Sequence, residues 1–306
     1  MLSLFKRARS SGSRIGVFVT PDGVAAAQVV RGARGVRPRL EHCVYEAQGT
    51  PDALARAVDS LSKRRTPAAS VLDSGGYRLS LVEAPEVPAD ELAAAVRWRI
   101  KDLIDFHIDD AVIDVFEMPA HARGGPRRML YAVTAKADVV KQQVELVEGA
   151  GLALDVIDIP ELSLRNVAAL LENEDRGAAL LYLGDRRSTL LLVRQGILYL
   201  ARHVETGVAT LAEAGGLKSD LVAGLALEVR RSLDYFESHY EQTAITQLYA
   251  SGLDAADREH LAQELGTAVR DVELAALFDT SARLSPDVER RCLPAIGAAL
   301  RVDAAS

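Results

Sequence analysis

Two stretches of the chain share one arrangement of apolar and polar positions. Residues 15–32 and 179–196 each contain an apolar strand, a short polar turn, a second apolar strand and an arginine-containing tail that ends in glycine. This arrangement predicts a β-hairpin, and its recurrence predicts a duplicated fold. In an open α/β architecture, the turns of two such hairpins can face a shared cleft.

The rest of the chain mixes helix-like and strand-like segments, which predicts an α/β fold. Apolar residues three and four positions apart predict helices at residues 52–63, 85–106, 139–147, 160–172, 217–240, 256–265 and 286–301. Apolar runs predict further strands at residues 36–46, 70–72, 78–82, 111–118, 130–134, 152–159, 197–204, 245–250 and 269–272. The turn at residues 73–76 is predicted to close a hairpin, and its glycine pair offers the alternative of an anion cradle.

Composition and charge limit the function classes. A chain of 306 residues can bury a large core without disulfides or metals. Its two cysteines, Cys43 and Cys292, lack C-x-x-C spacing and are interpreted as buried thiols in a reducing compartment. A net charge of −7 argues against nucleic acid as the main partner. Because no apolar run approaches the length of about 18 residues that a spanning helix needs, we expect a soluble, cytoplasmic protein.

Few isolated residues indicate chemistry. Trp98 lies off the apolar stripe of its predicted helix, so it either contacts a partner or packs against a neighbouring strand. His107, Asp109 and Asp110 come closest to a metal cluster, but a polar surface turn is the favoured interpretation. The sequence contains no convincing catalytic constellation, and we predict that the protein is not an enzyme.

Four segments, together with the second hairpin, carry a resemblance to a known family. They are VPADELAAAVRWRIKDLIDFHIDDAVIDVFEMP at residues 87–119, GLALDVIDIPELSLRN at 151–166, EVRRSLDYFESHY at 228–240 and LPAIGAALR at 293–301. In their order and spacing they resemble the PilM family of type IV pilus assembly proteins, and within it the MshI branch, named for biogenesis of the MSHA pilus. The resemblance spans residues 15–301, and no single motif decides it.

The resemblance implies an actin-like ATPase fold with two ribonuclease-H-like lobes. It places a flexible N-terminal segment at residues 1–14, the first lobe at 15–175 with a small α+β insertion near 79–136, and the second lobe at 176–306. The last helix is expected to pack back toward the first lobe. The implied function is a cytoplasmic scaffold at the inner face of the inner membrane. Its partner would be the short cytoplasmic tail of a PilN-like membrane protein, held between the first lobe and the insertion, with other pilus platform components as further partners.

The residues of the expected nucleotide cleft depart from the family pattern. Actin-like ATPases resemble one another in a D-x-G turn at each hairpin, where the carboxylate positions magnesium and the glycine admits a phosphate. Here Phe18 and Thr20 stand where the first aspartate and glycine would fall, and Tyr182 replaces the second aspartate while Gly184 remains. The remaining candidate cleft residues are Arg186, Arg187, Ser188, Thr189, Gly207 and Gly252.

An aromatic ring cannot coordinate magnesium, so we predict a degenerate, non-hydrolysing cleft that the two rings have closed. We expect no cofactor and no metal. The alternative is a nucleotide-binding switch or weak ATPase of the PilM type, with ATP as the ligand and the two turn arginines in place of the metal charge.

Overall fold

A computed structural model describes residues 12–33, 36–61, 66–88, 91–119, 128–172, 176–240 and 244–302. The predicted N-terminal segment falls largely outside these ranges, but Ser13 and Arg14 are the first two residues of the first strand. Gly124, Gly125 and Pro126, which separate two predicted strands, also lie outside them. In the parts of the chain that the structure describes, no helix has the length and apolar composition needed to cross a bilayer.

The chain forms strands and helices in nearly the alternation that its pattern predicts. The strands are β1 (Ser13–Thr20), β2 (Gly23–Val30), β3 (Arg39–Ala47), β4 (Pro67–Val71), β5 (Tyr77–Glu83), β6 (Ala111–Glu117), β7 (Met129–Lys136), β8 (Ala153–Asp158), β9 (Ala178–Leu183), β10 (Ser188–Arg194), β11 (Ile197–Val204), β12 (Leu248–Ser251) and β13 (Val269–Asp271). The helices are α1 (Pro51–Asp59), α2 (Leu92–Ile100), α3 (Ala137–Gly149), α4 (Pro160–Leu171), α5 (Val208–Glu213), α6 (Lys218–Tyr240), α7 (Ala255–Leu265), α8 (Leu274–Leu277) and α9 (Pro286–Ala299).

Two five-stranded sheets share one topology, which confirms the predicted duplication. The first has the order β3-β2-β1-β4-β8 and the second the order β11-β10-β9-β12-β13. In each sheet the three strands that come first in the chain are antiparallel neighbours. The remaining two strands run parallel to β1 in the first sheet and to β9 in the second. Both hairpins fall where the repeat predicts them.

A third sheet, with the order β5-β7-β6, interrupts the first half between β4 and α3. We call this sheet, together with α2, the insertion. Helix α2 covers one face of it through Val96 and Ile100, which pack with Val82 and Leu130. The turn at residues 73–76 forms, since the N–H of Gly76 donates to the carbonyl oxygen of Asp73. However, the predicted hairpin is wrong, because β4 and β5 belong to different sheets.

Helix α9 packs on the first half of the molecule, although it follows the second half in sequence. It contacts β1, β2, β4 and α4. The contact with β1 is so close that a Cβ atom on Gly16 would lie 1.8 Å from the carbonyl oxygen of Ala295. A Cβ atom on Gly297 would lie 2.1 Å from the carbonyl oxygen of Ser163 on α4. Glycine at these two positions therefore lets α9 lie directly against the first sheet and its helix.

Trp98 and the two cysteines do not line the cleft between the halves. Of the two alternatives for Trp98, packing against a strand is wrong, because 75% of the residue is exposed on the outer face of α2. The two thiols form no disulfide; Cys292 is buried and Cys43 is half-buried.

Candidate functional site

The two halves enclose a cleft with a volume of about 270 Å³, and corresponding residues line its two walls. Phe18 pairs with Ala25, which pairs with Tyr45, across β1, β2 and β3. In the same register, Tyr182 pairs with Thr189, which pairs with His203, across β9, β10 and β11. All six residues line the cleft. The duplication therefore produces two equivalent cross-strand rows, one on each side.

The turn between β1 and β2 is held by the loop that follows β3. The N–H groups of Gln48 and Gly49 donate to the carbonyl oxygens of Asp22 and Pro21, at 3.0 and 3.2 Å. A Cβ atom on Gly49 would lie 1.7 Å from the carbonyl oxygen of Thr20. The backbone N–H groups nearest this turn thus bond to the turn itself, and they are not directed at the cleft.

The turn between β9 and β10 is held in the corresponding way. At the start of α5, the N–H groups of Val208 and Ala209 donate to the carbonyl oxygens of Gly184 and Asp185, both at 2.9 Å. Gly207 corresponds to Gly49, and a Cβ atom there would lie 2.5 Å from the carbonyl oxygen of Asp185. A helix N-terminus commonly binds anions through these donors. Here the second turn occupies them.

Two arginines of α9 clamp the second turn. The Arg290 guanidinium is almost fully buried and donates to the carbonyl oxygen of Leu183 at 3.1 Å, to Asp185 at 2.9 Å and to Asp287 at 2.8 Å. The Arg291 guanidinium donates to the second carboxylate oxygen of Asp185 at 3.0 Å and to the hydroxyl of Tyr45 at 3.1 Å. Both oxygens of Asp185 are therefore engaged by cations, and Arg291 links the two walls of the cleft.

A second link joins both halves and the insertion. Glu161, in the first turn of α4, is fully buried. Its carboxylate accepts a hydrogen bond from the hydroxyl of Tyr77 on β5 at 2.6 Å, and it pairs with Nε2 of His203 on β11 at 2.9 Å. The hydrogen bond to Glu161 raises the pKa of His203 and outweighs the burial that would lower it. Burial, together with the nearby Glu161, raises the pKa of Tyr77 well above its ordinary value, so Tyr77 remains a neutral donor.

The predicted cleft residues fall into two groups. Seven of them line the cleft: Phe18, Thr20, Tyr182, Gly184, Arg186, Arg187 and Thr189. Ser188 is buried and its hydroxyl donates to the carbonyl oxygen of Thr206. Gly207 lies behind the second turn, and Gly252 lines a separate cavity.

The expectation that the rings close the cleft is wrong, because a cavity remains beside them. Tyr182 is 8% exposed and packs into the core together with Leu180 and Leu191, so its ring forms part of the wall. Burial raises the pKa of Tyr182 to about 12, so its hydroxyl is neutral at physiological pH. Phe18 packs against the same core.

The separate cavity beside Gly252 has a volume of about 520 Å³ and an acidic lining. Its carboxylates belong to Asp254, Asp271, Glu273, Asp287 and Glu289. The resemblance associates Gly252 with the adenosine side of a nucleotide site. An excess of carboxylates there disfavours a polyanionic ligand nearby.

The cleft does not fit the magnesium ion that an ATPase of this fold needs. Neutral aromatic rings stand at the two positions where carboxylates are required, and Asp185 is already bound by two guanidinium groups. Among the described residues, no group of three or more His, Cys, Asp or Glu side chains is placed to hold a metal ion. We therefore derive no metal-dependent step at this site.

A groove separates the insertion from the first half. Strand β6 is an edge strand of the insertion, and β8 is an edge strand of the first sheet. Between them lies a small cavity of about 30 Å³, lined by Asp114, Phe116, Val133, Ile157, Asp158, Ile159 and Leu162. Two strand edges and an apolar floor are the elements that bind extended peptides.

Most of the residues that hold the cleft together are not indicated by any motif in the sequence. Tyr45, His203, Glu161 and the two arginines of α9 lie far apart in the chain. The sequence repeat covers only the first two strands of each half. If it is extended to the third strand, Tyr45 aligns with His203, because both occupy the same register relative to the second strand. No local pattern identifies Glu161 or Arg290, because Tyr77 and His203, which contact Glu161, and Leu183 and Asp185, which contact Arg290, lie far from them in the chain.

The comparisons with known proteins agree on the fold. No protein-family model matches the chain, and no curated protein matches its sequence. Among solved structures, the chain is similar to the PilM–PilN type IV pilus biogenesis complex, with 21% identity, a TM-score of 0.70 and coverage of 94% of this chain and 97% of that one. It is also similar to a Bacteroides thetaiotaomicron protein with an actin-like ATPase fold, with 8% identity, a TM-score of 0.50 and coverage of 88% and 93%. The chain has the actin-like ATPase fold.

Proposed function

We propose that this protein is a PilM-like scaffold of type IV pilus assembly, of the MshI branch that serves the MSHA pilus. It acts in the cytoplasm, at the inner face of the inner membrane, and binds the cytoplasmic tail of a PilN-like membrane protein. The observation that carries the proposal is the groove between β6 and β8, where two edge strands flank an apolar cavity. An extended tail can add to such an edge through main-chain hydrogen bonds. The similarity to a PilM–PilN complex supports the same partner class.

We further propose that the protein does not hydrolyse ATP. Support comes from Phe18 and Tyr182 in place of carboxylates, and from Asp185, whose charge is neutralised by Arg290 and Arg291. The turn arginines are also paired, Arg186 with Glu213 at 3.0 Å and Arg187 with Glu205 at 2.9 Å. Little positive charge is left for a triphosphate.

Peptide binding tests the scaffold function. The synthetic N-terminal tail of a PilN-like protein from the same organism is titrated into the protein, with a scrambled tail as the control. We expect saturable binding of the native tail alone. Phe116→Ser, in the groove, is expected to weaken binding at least tenfold, whereas Leu81→Ser, on the opposite edge strand β5 of the same sheet, is expected to leave it unchanged. Equal binding of native and scrambled tails contradicts the proposal.

Nucleotide binding without hydrolysis is the second candidate, and the open cleft favours it. Thermal unfolding with and without Mg-ATP separates the two. A ligand at a hundred times its dissociation constant stabilises a protein by about 2.7 kcal/mol. An unchanged melting temperature at millimolar Mg-ATP removes the nucleotide candidate, and release of phosphate contradicts the proposal that the protein is not an ATPase.

A further inference from the structure

The groove between β6 and β8 contains a carboxylate oxygen that has no hydrogen-bond partner among the described residues. Asp158 has partners at both oxygens: one accepts the N–H of Ile159 at 3.0 Å and the other accepts from Arg301 at 2.8 Å. One oxygen of Asp114 accepts the N–H of Val115 at 2.8 Å. The other oxygen of Asp114 is inaccessible to solvent and has no hydrogen-bond partner among the described residues. Two carboxylates therefore line an otherwise apolar cavity, and the nearby guanidinium groups of Arg301 and Arg165 both interact with Asp158.

The charge and the size of this cavity select one kind of occupant. A buried carboxylate is strongly stabilised when a cation or hydrogen-bond donor pairs with it, and it is costly when left unpaired. The volume of about 30 Å³ exceeds the roughly 10–15 Å³ that one water-sized group requires. That space accepts the ammonium group of lysine once rotation of the Asp114 carboxylate turns its unpaired oxygen toward the cavity, whereas the planar, four-atom guanidinium group of arginine is larger.

We propose that Asp114 binds the ammonium group of a lysine in the extended tail that occupies this groove. The inference rests on the proposed function, because it names the residue type that the tail must present. Since β6 is an edge strand, a tail that pairs with it runs past Asp114 and can direct every second side chain toward the cavity. Asp114 then acts as the residue that distinguishes a lysine-containing tail from an equally apolar one.

Occupation of the site is coupled to a proton. Burial raises the pKa of Asp114 to about 6; the nearby Asp158 also raises this pKa, whereas the Val115 N–H and Arg301 lower it. A lysine ammonium beside Asp114 lowers the pKa again, because it stabilises the ionised carboxyl. Affinity for the tail is therefore expected to fall as the pH is lowered from 7 to 5, where Asp114 is protonated in the free protein.

The experiment measures the affinity of the protein for the N-acetylated tail of a PilN-like protein from the same organism. Each lysine of the tail is replaced in turn by norleucine, which keeps the aliphatic stem and removes the charge. One replacement is expected to weaken binding about tenfold or more, as loss of a hydrogen bond to a charged group does. Asp114→Asn is expected to cause a similar loss, to add nothing to the effect of that norleucine and to remove the dependence on pH. Asp102→Asn, at an exposed position just after α2, is the matched control.

The outcomes separate the inference from the function on which it rests. If the wild-type protein binds no tail, the proposed function fails and the inference fails with it. If it binds the tail but every norleucine peptide binds equally well, only the inference is overturned. Binding of a tail with a free N-terminus but not of the acetylated tail also overturns it, because the ammonium is then the α-amino group. The norleucine arm leaves the protein unaltered, so it decides the matter even if Asp114→Asn fails to fold.

Discussion

The two halves of the molecule place different chemistry at corresponding positions. Tyr45 on β3 and His203 on β11 occupy the same register, and each reaches a helix of the opposite half. The ring of Tyr45 lies 4.9 Å from the Arg291 guanidinium of α9, whereas His203 pairs with the Glu161 carboxylate of α4. The duplicated topology thus keeps the position of each link across the cleft, while one link ends on a cation and the other on an anion.

The two hairpin turns also differ in the charge of the groups that hold them. The turn at Asp22 is held by backbone donors and the hydroxyl of Tyr45, which donates to the carbonyl oxygen of Asp22 at 3.1 Å. The turn at Asp185 is held by backbone donors and two guanidinium groups. The charged residues of the cleft are therefore concentrated on the second half, where they stabilise the protein's own turn.

The largest effect is expected at a strand position where the two halves carry residues of different size. Gly16 in β1 corresponds to Leu180 in β9, and Gly16 lies so close to the backbone of α9 that a Cβ atom does not fit there. We expect Gly16→Ala to lower the free energy of unfolding by about 3 kcal/mol or more, because α9 must move away from the sheet. Denaturant unfolding measures the loss.

A helical glycine with open surroundings provides the control for that variant. A Cβ atom on Gly224, in α6, would have no neighbour within 4 Å. Gly224→Ala is therefore expected to raise stability by up to about 1 kcal/mol, the gain in helix propensity. A loss below about 1 kcal/mol for Gly16→Ala would mean that α9 is not fixed on the first half.

The second test removes the clamp from one turn. Arg290→Met leaves Asp185 with one cation and the carbonyl oxygen of Leu183 without its donor, so we expect a loss of about 3 kcal/mol. Tyr45→Phe removes only the hydroxyl at the first turn, and we expect a loss near 1 kcal/mol. Arg290→Lys is not expected to restore stability, since an ammonium cannot make the forked contacts. Equal losses for the two turns would contradict the difference drawn between them.

The sequence predicts the hairpins of the two halves better than the long-range pairing and packing that surround them. The hairpins at Phe18 and Tyr182 are visible as a local repeat, because strand alternation and turn residues are properties of neighbouring positions. The separation of β4 from β5 into different sheets depends on pairing with β7, about fifty residues away, which no local pattern records. The open cleft was missed for a related reason: the direction of a ring follows from the core behind it.

The third test uses pH to distinguish the two contacts across the cleft, His203 with Glu161 and Tyr45 with Arg291. Because the pKa of His203 is raised in the folded protein, its stabilising contribution is complete below its ordinary value near 6.5 and is lost as the pH rises through the raised value. His203 faces Glu161, Arg187 and Glu205. The effect is expected to be about 1 kcal/mol or less, because the side chain is 39% exposed.

Two variants assign that pH dependence. His203→Gln keeps a donor to Glu161 and is expected to flatten stability between pH 6 and 8, as followed by denaturant unfolding. Tyr45→Phe is expected to leave the slope unchanged, because burial raises the pKa of Tyr45 and keeps its hydroxyl neutral over this range. An imidazole that titrates at its ordinary pKa by NMR, or a slope that persists in His203→Gln, would show that the link does not depend on this charge.

The smallest expected effect lies at the tip of the second turn, a few ångströms from the clamp. Arg186 and Arg187 are paired with Glu213 and Glu205, but their side chains are 71% and 53% exposed. Solvent screening makes such pairs worth little, so Arg186→Ala and Arg187→Ala are each expected to change stability by less than about 0.5 kcal/mol. Denaturant unfolding beside Arg290→Met measures the contrast within one loop. A loss of stability comparable to that of Arg290→Met would mean that the two arginines hold the turn in place. Near-neutral variants would mean that the two arginines are available to a ligand or partner that enters the cleft.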